Sequence, residues 1–258
     1  MTNKTDIATA TERPDNRNII DAAMFYLFLV LILLASNSAY ALPNNNRDSL
    51  NNTLSQWGMA QEFYSDASEA FDNGNIEDAV RLFTVAATRG HAAANYELGN
   101  IYFNGLGTNT DLDKAISHYQ VAANFGHAQA QYNIGVAHAQ GLTFEKDLTA
   151  AITWWRRSAL SGNIDAQYNL GLIYSRGHGV KANTSEAVIW WKMAAKQGDA
   201  AAQFNLGVML ANGEGVSRNM DAAIKWWKLS AQQGFEKAIY ALKTINNVNL
   251  SQNSTAAE

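Results

Sequence analysis

Hydrophobic residues recur along most of the chain with the spacing of one helix face, and glycine-containing turns interrupt the pattern. In one such stretch they fall at i, i+4, i+7 and i+8, positions that lie together on an α-helix. After the following turn, Asn183 and Glu186 resemble a capping box that opens a second helix. The pattern therefore predicts a helix–turn–helix unit. Its first helix has the apolar face Ala166, Leu170, Ile173 and Tyr174.

The same pattern returns every 36 residues, and four columns of residues keep this register. The columns are Gly90, Gly126, Gly162, Gly198 and Gly234; Gly99, Gly135, Gly171 and Gly207; Ala115, Ala151, Ala187 and Ala223; and Tyr96, Tyr132, Tyr168 and Phe204. They predict full repeats at 92–127, 128–163, 164–199 and 200–235. Helix–turn–helix units of this length stack on one another. The sequence therefore predicts an all-α fold, a right-handed α-solenoid with a 36-residue period.

The segments that flank the four full repeats depart from the pattern. Residues 57–91 resemble a shorter, divergent first repeat of the tetratricopeptide type, since the loop between their helices is trimmed. The Asn-rich segment 42–56 is predicted to be a flexible linker. At the other end, 236–245 is predicted to form a capping helix and 246–258 a disordered polar tail.

Residues 22–35 form an apolar run of fourteen residues without a charge. A helix that spans a bilayer needs about 20 apolar residues, so this run has the length of the core of a signal peptide. Ala39 and Ala41 follow in the A-x-A arrangement of a cleavage site. We therefore expect a signal peptide at 1–41 and export to the periplasm or the medium. The alternative is an uncleaved anchor in the inner membrane, which would be the chain's one membrane contact.

Composition removes several kinds of chemistry. The absence of cysteine excludes a disulfide framework, a thiolate zinc site and a cysteine nucleophile. A net charge of −4 argues against nucleic acid as a partner. The chain has no G-x-S-x-G, S-x-x-K or P-loop motif, and none of its histidines forms H-E-x-x-H. We therefore expect no catalysis, no cofactor and no metal. The histidines are His91, His118, His127, His138 and His178.

The segments AQYNLGLIYSRGHGV (166–180) and SEAVIWWKMAAKQGD (185–199) resemble the Sel-1-like repeat, a relative of the tetratricopeptide repeat. The resemblance covers 92–235 well. It implies a scaffold or adaptor that holds a partner protein or peptide in the concave groove of the solenoid. Some relatives are credited with cell-wall or β-lactam hydrolysis, so a hydrolase of that kind stays as an alternative, beside a glycan-binding protein.

Two features of the repeat predict how its helices pack. Glycine in the middle of a helix costs about 1 kcal/mol relative to alanine, so its recurrence at Gly99, Gly135, Gly171 and Gly207 predicts a closely approaching helix. The second tryptophans of the aromatic pairs are predicted to be core residues: Trp155, Trp191 and Trp227. The first members are expected to pack between repeats, or, in the alternative, to bind sugar rings: Trp154, Trp190 and Trp226.

Two rows of polar side chains on the first helices are candidates for binding a partner on the concave face. The side-chain amides of Asn and Gln can donate hydrogen bonds to a peptide backbone and accept hydrogen bonds from it. One row varies from repeat to repeat: Asn104, Gln140, Arg176 and Asn212. The other is constant: Asn133, Asn169 and Asn205. The constant row has an alternative interpretation, in which its amides bond neighbouring helices as part of the architecture.

Overall fold

The computed structural model describes residues 44–255, with side-chain surroundings for 52–245. The predicted signal peptide at 1–41 lies outside this part of the chain. Within it there are eleven helices and no strand, and none of the helices has the length and apolar character that a membrane span requires. The helices are α1 Asn44–Asp72, α2 Ile76–Thr88, α3 Ala92–Asn104, α4 Leu112–Asn124, α5 Ala128–Gln140, α6 Leu148–Leu160, α7 Ile164–Arg176, α8 Thr184–Lys196, α9 Ala200–Asn212, α10 Met220–Gln232 and α11 Glu236–Thr255.

The chain divides into two compact units, with the boundary at residues 115 and 116 inside α4. In unit 1, α1 packs on α2 and α2 on α3, around a core that includes Phe83, Leu98 and Ile101. In unit 2, α5 pairs with α6, α7 with α8 and α9 with α10, and each pair contacts the helix that follows it. The predicted fold class, an all-α solenoid of helix–turn–helix repeats with a 36-residue period, is confirmed.

Side-chain caps and left-handed glycines set the helix boundaries. The residue before each first helix accepts a hydrogen bond from the backbone N–H three positions on, as the Asn163 side chain does from Ala166 at 2.7 Å. After α7 the chain turns through Gly177, whose φ of 73° is the left-handed conformation that glycine tolerates best. First-helix caps are His91, His127, Asn163 and Asp199, and second-helix caps include Asp147, Asn183 and Asn219.

The mid-helix glycines of unit 2 lie against tryptophans of the paired second helices. A Cβ atom added to Gly171 would overlap the indole of Trp191, and 4% of Trp191 is exposed. The same contact recurs twice in this unit. The Trp155 and Trp227 indoles also donate hydrogen bonds to backbone carbonyls of the first helix, those of Tyr132 (3.2 Å) and Phe204 (3.1 Å). The predictions of close packing at these glycines and of core tryptophans are confirmed. The equivalent contacts are Gly135 with Trp155 and Gly207 with Trp227.

A glutamine ladder, which the sequence analysis did not predict, joins consecutive repeats of unit 2. Gln167 is buried, and its amide donates to the carbonyl oxygen of Ala159 at the end of α6 (2.9 Å). Gln197, just past the end of α8, donates in turn to Gln167 (2.8 Å) and to the carbonyl oxygen of Gly162 (3.1 Å). The ladder gives the carbonyl oxygen of Ala159 a side-chain donor in addition to the backbone N–H of Gly162 (3.1 Å), and it ties the end of one repeat to the next. Gln203 and Gln233 repeat the arrangement one period later.

The structure differs from the sequence predictions at both flanks of the array. α1 begins at Asn44, so the segment predicted as a flexible linker is helical from that residue on. α11 continues to Thr255, ten residues beyond the predicted end of the capping helix and through most of the predicted disordered tail. The helical parts of these segments, 44–56 and 246–255, contain no glycine or proline, and asparagine costs well under 1 kcal/mol in a helix. Nothing in either segment therefore forces the helix to stop.

Candidate interaction surface

Three exposed side chains occupy the same place on successive first helices of unit 2. Gln140, Arg176 and Asn212 are the last residues of α5, α7 and α9, each directly before a glycine in the left-handed conformation. We call these three residues the helix-end row. Because the same cap ends each helix, the three side chains leave the backbone at equivalent positions. Asn104 has this position at the end of α3 in unit 1 and is also exposed.

The helix-end row offers hydrogen-bonding groups and one cation. Arg176 is exposed, and its guanidinium makes no ion pair within the described part of the chain, so it can offer N–H donors to a ligand. The amide of Asn212 donates to the Glu214 carboxylate in the following turn (2.8 Å), which orients it. In unit 1, the Asn104 amide donates to the carbonyl oxygen of Asn100 (3.0 Å). The row of unit 2 is therefore suited to backbone amides and to a carboxylate.

The constant asparagine row does not form a surface of the same kind. Asn133 is fully buried and accepts a hydrogen bond from Gln129 (3.3 Å), so the expectation that it contacts a partner is corrected. Asn169 is half-buried, and its amide donates to the hydroxyl of Tyr132 on α5 (3.1 Å). Asn205 is half-buried as well. Asn169 fits the alternative interpretation, in which the amide bonds a neighbouring helix, whereas the hydrogen bond that Asn133 accepts stays within α5. Only the varied row is fully at the surface.

The first tryptophans of the aromatic pairs differ in their exposure. Trp190 is 6% exposed, whereas Trp154 and Trp226 are half-buried. The guanidinium of Arg157 lies over the Trp154 ring, 4.7 Å from its centroid, and covers one face of it. Sugar binding by stacking requires open ring faces in a continuous row. The three rings do not present such a row.

The burial of His91 changes its acid–base behaviour. Its Nδ1 atom accepts the N–H of Ala94 (3.1 Å), its Nε2 atom lies 3.1 Å from the Gln61 side-chain oxygen, and its ring stacks on Tyr64 at 4.4 Å. Burial lowers the pKa of His91 from 6.5 to about 4. The imidazole is therefore neutral near pH 7 and acts as a helix cap. Within residues 44–255, no group of three or more His, Asp and Glu side chains is placed to hold a metal ion.

Residues 54–91, 92–127, 128–163, 164–199 and 200–235 each match the family model of the Sel1 repeat. The fold is similar to that of a Sel1 repeat protein from Oxalobacter formigenes, with 32% identity over 66% of this chain and 49% of that chain and a TM-score of 0.63.

It is also similar to c5321 of uropathogenic Escherichia coli, a protective antigen with an SLR fold, with 24% identity over 75% of this chain and 49% of that chain and a TM-score of 0.62. The matches thus span about half the length of both proteins. No curated protein matches the chain significantly. Since the Sel1 matches together cover more than half of its residues, the chain belongs to the Sel1 repeat family.

Proposed function

We propose that this protein is an exported scaffold that binds an extended segment of a partner protein along the helix-end row. Sel1 repeats commonly serve protein–protein interaction, and the repeats of this chain have the packing of that family. The observation that carries the proposal is the contrast within each first helix of unit 2. Its middle keeps the same glycine in every repeat, while its exposed last residue changes from Gln140 to Arg176 to Asn212.

The spacing of the row fits an extended peptide. The bond from Asn169 to the Tyr132 hydroxyl shows that the side chains of successive first helices meet. Directly packed helices lie about 8–10 Å apart, which sets a lower limit for successive first helices, and an extended chain rises about 3.3 Å per residue. At least about three residues of a bound peptide would therefore separate contacts with successive members of the row. A peptide carboxylate opposite Arg176, flanked by backbone groups opposite Gln140 and Asn212, would match the chemistry of the row.

Export rests on the sequence features of the N-terminal segment. The apolar run at 22–35 and the A-x-A arrangement ending at Ala41 support a cleaved signal peptide. Cleavage there would release a protein that begins at Leu42, which fractionation of the producing cells and N-terminal sequencing would detect. The partner would then be an envelope or extracellular protein.

A capture experiment with matched variants tests the binding proposal. The tagged full chain is incubated with an envelope extract, beside a variant with Gln140, Arg176 and Asn212 changed to Ala. The chain offers a control row of the same chemistry, since α4, α8 and α10 also end in exposed polar residues. This control variant carries Ala at Asn124, Lys196 and Gln232. Circular dichroism checks that both variants fold.

We expect one protein or a small set of proteins to be captured by the parent and by the control variant, and to be lost with the helix-end variant. Loss of about three hydrogen-bonded contacts, one of them charged, should weaken binding by tenfold or more. Equal capture by all three chains would move the binding surface away from the helix-end row. Capture of nothing by the parent would contradict the scaffold proposal itself.

A further inference from the structure

The last helix of unit 2 has an exposed aromatic residue. The equivalent residues of earlier repeats are partly covered by a second helix. Tyr240 on α11 is the column mate of Tyr132 and Phe204, which lie one or more periods earlier on first helices. Those two rings are half-buried and stand 6.5 Å, centroid to centroid, from the tryptophans of their paired second helices. Tyr240 is 74% exposed. Within the described residues, no second helix covers it.

The residue in the glycine column of α11 shows that this face is not built for another tryptophan-bearing helix. Lys243 stands one period after Gly207, at the position where the Trp227 indole leaves no room for a Cβ atom. A lysine there would exclude the tight contact that closes the earlier pairs. The face must accept a different neighbour or remain in solvent.

An open cavity of about 610 Å³ lies beside Tyr240. Its floor is largely apolar, and the contacts of Phe204 with Phe235 and Trp227 hold the inner side in place. The volume is more than sufficient for one aromatic side chain, and apolar surface of this kind is stabilised when it is removed from water. The residues that line it include Phe204, Trp227, Tyr240, Ala241 and Ile245.

The charges on this face favour a second copy of the chain. Glu236 and Lys237 are exposed and line the cavity, and the exposed Lys243 lies seven residues after Glu236, two helical turns along α11 and past Tyr240. If the same helix of another molecule approaches in antiparallel orientation, Glu236 of each copy faces Lys243 of the other. The pairing occurs twice, as a two-fold axis requires. A parallel approach would place like charges together.

From this self-complementary pattern we propose that α11 is a homodimer interface, in which two copies pack antiparallel and the Tyr240 ring of each enters the cavity of the other. A second copy supplies an aromatic side chain to fill the cavity, together with both opposite charges. The dimer lies at the end of the array and leaves the helix-end row of each copy unused. It therefore stands apart from the proposed scaffold function.

The oligomeric state of the full chain, measured by sedimentation velocity over a range of concentrations, tests the proposal. Tyr240→Ala should weaken dimerisation by roughly tenfold or more, because central aromatic anchors dominate small interfaces. Leu160 provides a matched control, since it is 73% exposed on α6, outside the proposed interface. Leu160→Ala should leave the dimer unchanged. A dimer that both substitutions weaken equally, or neither, would overturn the proposal.

Charge reversal gives a second and more specific test. Glu236→Lys and Lys243→Glu should each weaken the homodimer by roughly tenfold, since each turns two attractive pairs into two repulsive ones. An equimolar mixture of the two single variants should restore dimerisation, because every cross pair is then attractive. The variant that carries both reversals should dimerise like the parent. Lys225→Glu, an equal charge change at an exposed position on α10, serves as the control.

Failure of the mixture to recover would overturn the antiparallel arrangement, even if each single variant is weakened. A chain that stays monomeric to about millimolar concentration would overturn the interface altogether, and so would open-ended oligomers, which require two different surfaces. Loss of partner capture by the helix-end variant would leave these results unaffected. The two proposals therefore fail separately.

Discussion

The middle and the C-terminal end of α7 follow the same 36-residue period, but the residue type is constant between repeats in the middle and varies at the end. In the middle, Gly171 meets Trp191, and the equivalent residues in the neighbouring repeats of unit 2 are again a glycine and a tryptophan. At the end, Arg176 stands where the neighbouring repeats have Gln140 and Asn212. Packing against a second helix restricts the first position, whereas solvent leaves the second free to vary. The fold therefore depends on the middle of the helix and leaves its end available for recognition.

The largest expected effect of a single substitution follows from the restricted position. Gly171→Leu forces a side chain into the Trp191 indole and should lower the free energy of unfolding by about 3 kcal/mol, at the upper end of the usual cost of overpacking. Chemical denaturation followed by circular dichroism measures the change. Gly58→Leu is the control, because Gly58 is also helical and has no atom within 4 Å of its added Cβ. Equal stability of the two variants would contradict the comparison.

The sequence predicted most of what the repeat period controls. The glycine and tryptophan columns and the Asn183 cap each depend on contacts within one or two helices, so their spacing in the sequence reports them directly. The exposure of the helix-end row agrees with its polar side chains and with its position directly before a glycine turn, whereas its part in binding stays a prediction.

Other features depend on distances that the period does not report. Gln167 and Gln197 recur one period later as Gln203 and Gln233, but the period does not report that these two columns pair across 30 residues. Asn133 and Asn169 share a column, yet one is fully buried and the other half-buried, since burial depends on what surrounds each helix. The length of α11 was not predicted, because the absence of a glycine or proline does not by itself show that a helix continues.

His91 extends the comparison to a buried polar group. Its burial should make the free energy of unfolding depend on pH. The folded protein holds the pKa of His91 near 4, while an unfolded chain has a value near 6.5. Above pH 6.5 both states are neutral at this group. Below pH 6.5 the imidazole binds a proton in the unfolded state but not in the folded state. The free energy of unfolding therefore falls, by about 2 kcal/mol at pH 5. Urea denaturation at pH 7 and pH 5 measures the loss.

His91→Asn provides the matched variant for this measurement. Asn163 shows that an asparagine can cap a first helix in the same way, and an asparagine does not titrate. The variant should keep a folded unit 1 and lose the part of the pH dependence that lies between pH 6.5 and pH 4. If the parent and the variant lose stability equally over that range, His91 is not the group responsible.

The smallest expected effect on the free energy of unfolding comes from Gln197, a surface residue that is hydrogen-bonded to the interior. Gln197 is exposed, but its amide reaches inward to the Gln167 side chain and to the carbonyl oxygen of Gly162. Gln197→Ala should lower the free energy of unfolding by about 1 kcal/mol, the usual contribution of hydrogen bonds of this kind. Lys196→Ala, one residue earlier and equally at the surface, should change it by less than about 0.5 kcal/mol. A difference between these neighbours would show that period-spanning contacts, and not exposure, decide which helix-end residues are free to vary. If the two substitutions lower the free energy of unfolding equally, the ladder adds nothing to stability. Exposure alone would then decide which helix-end residues can vary between repeats.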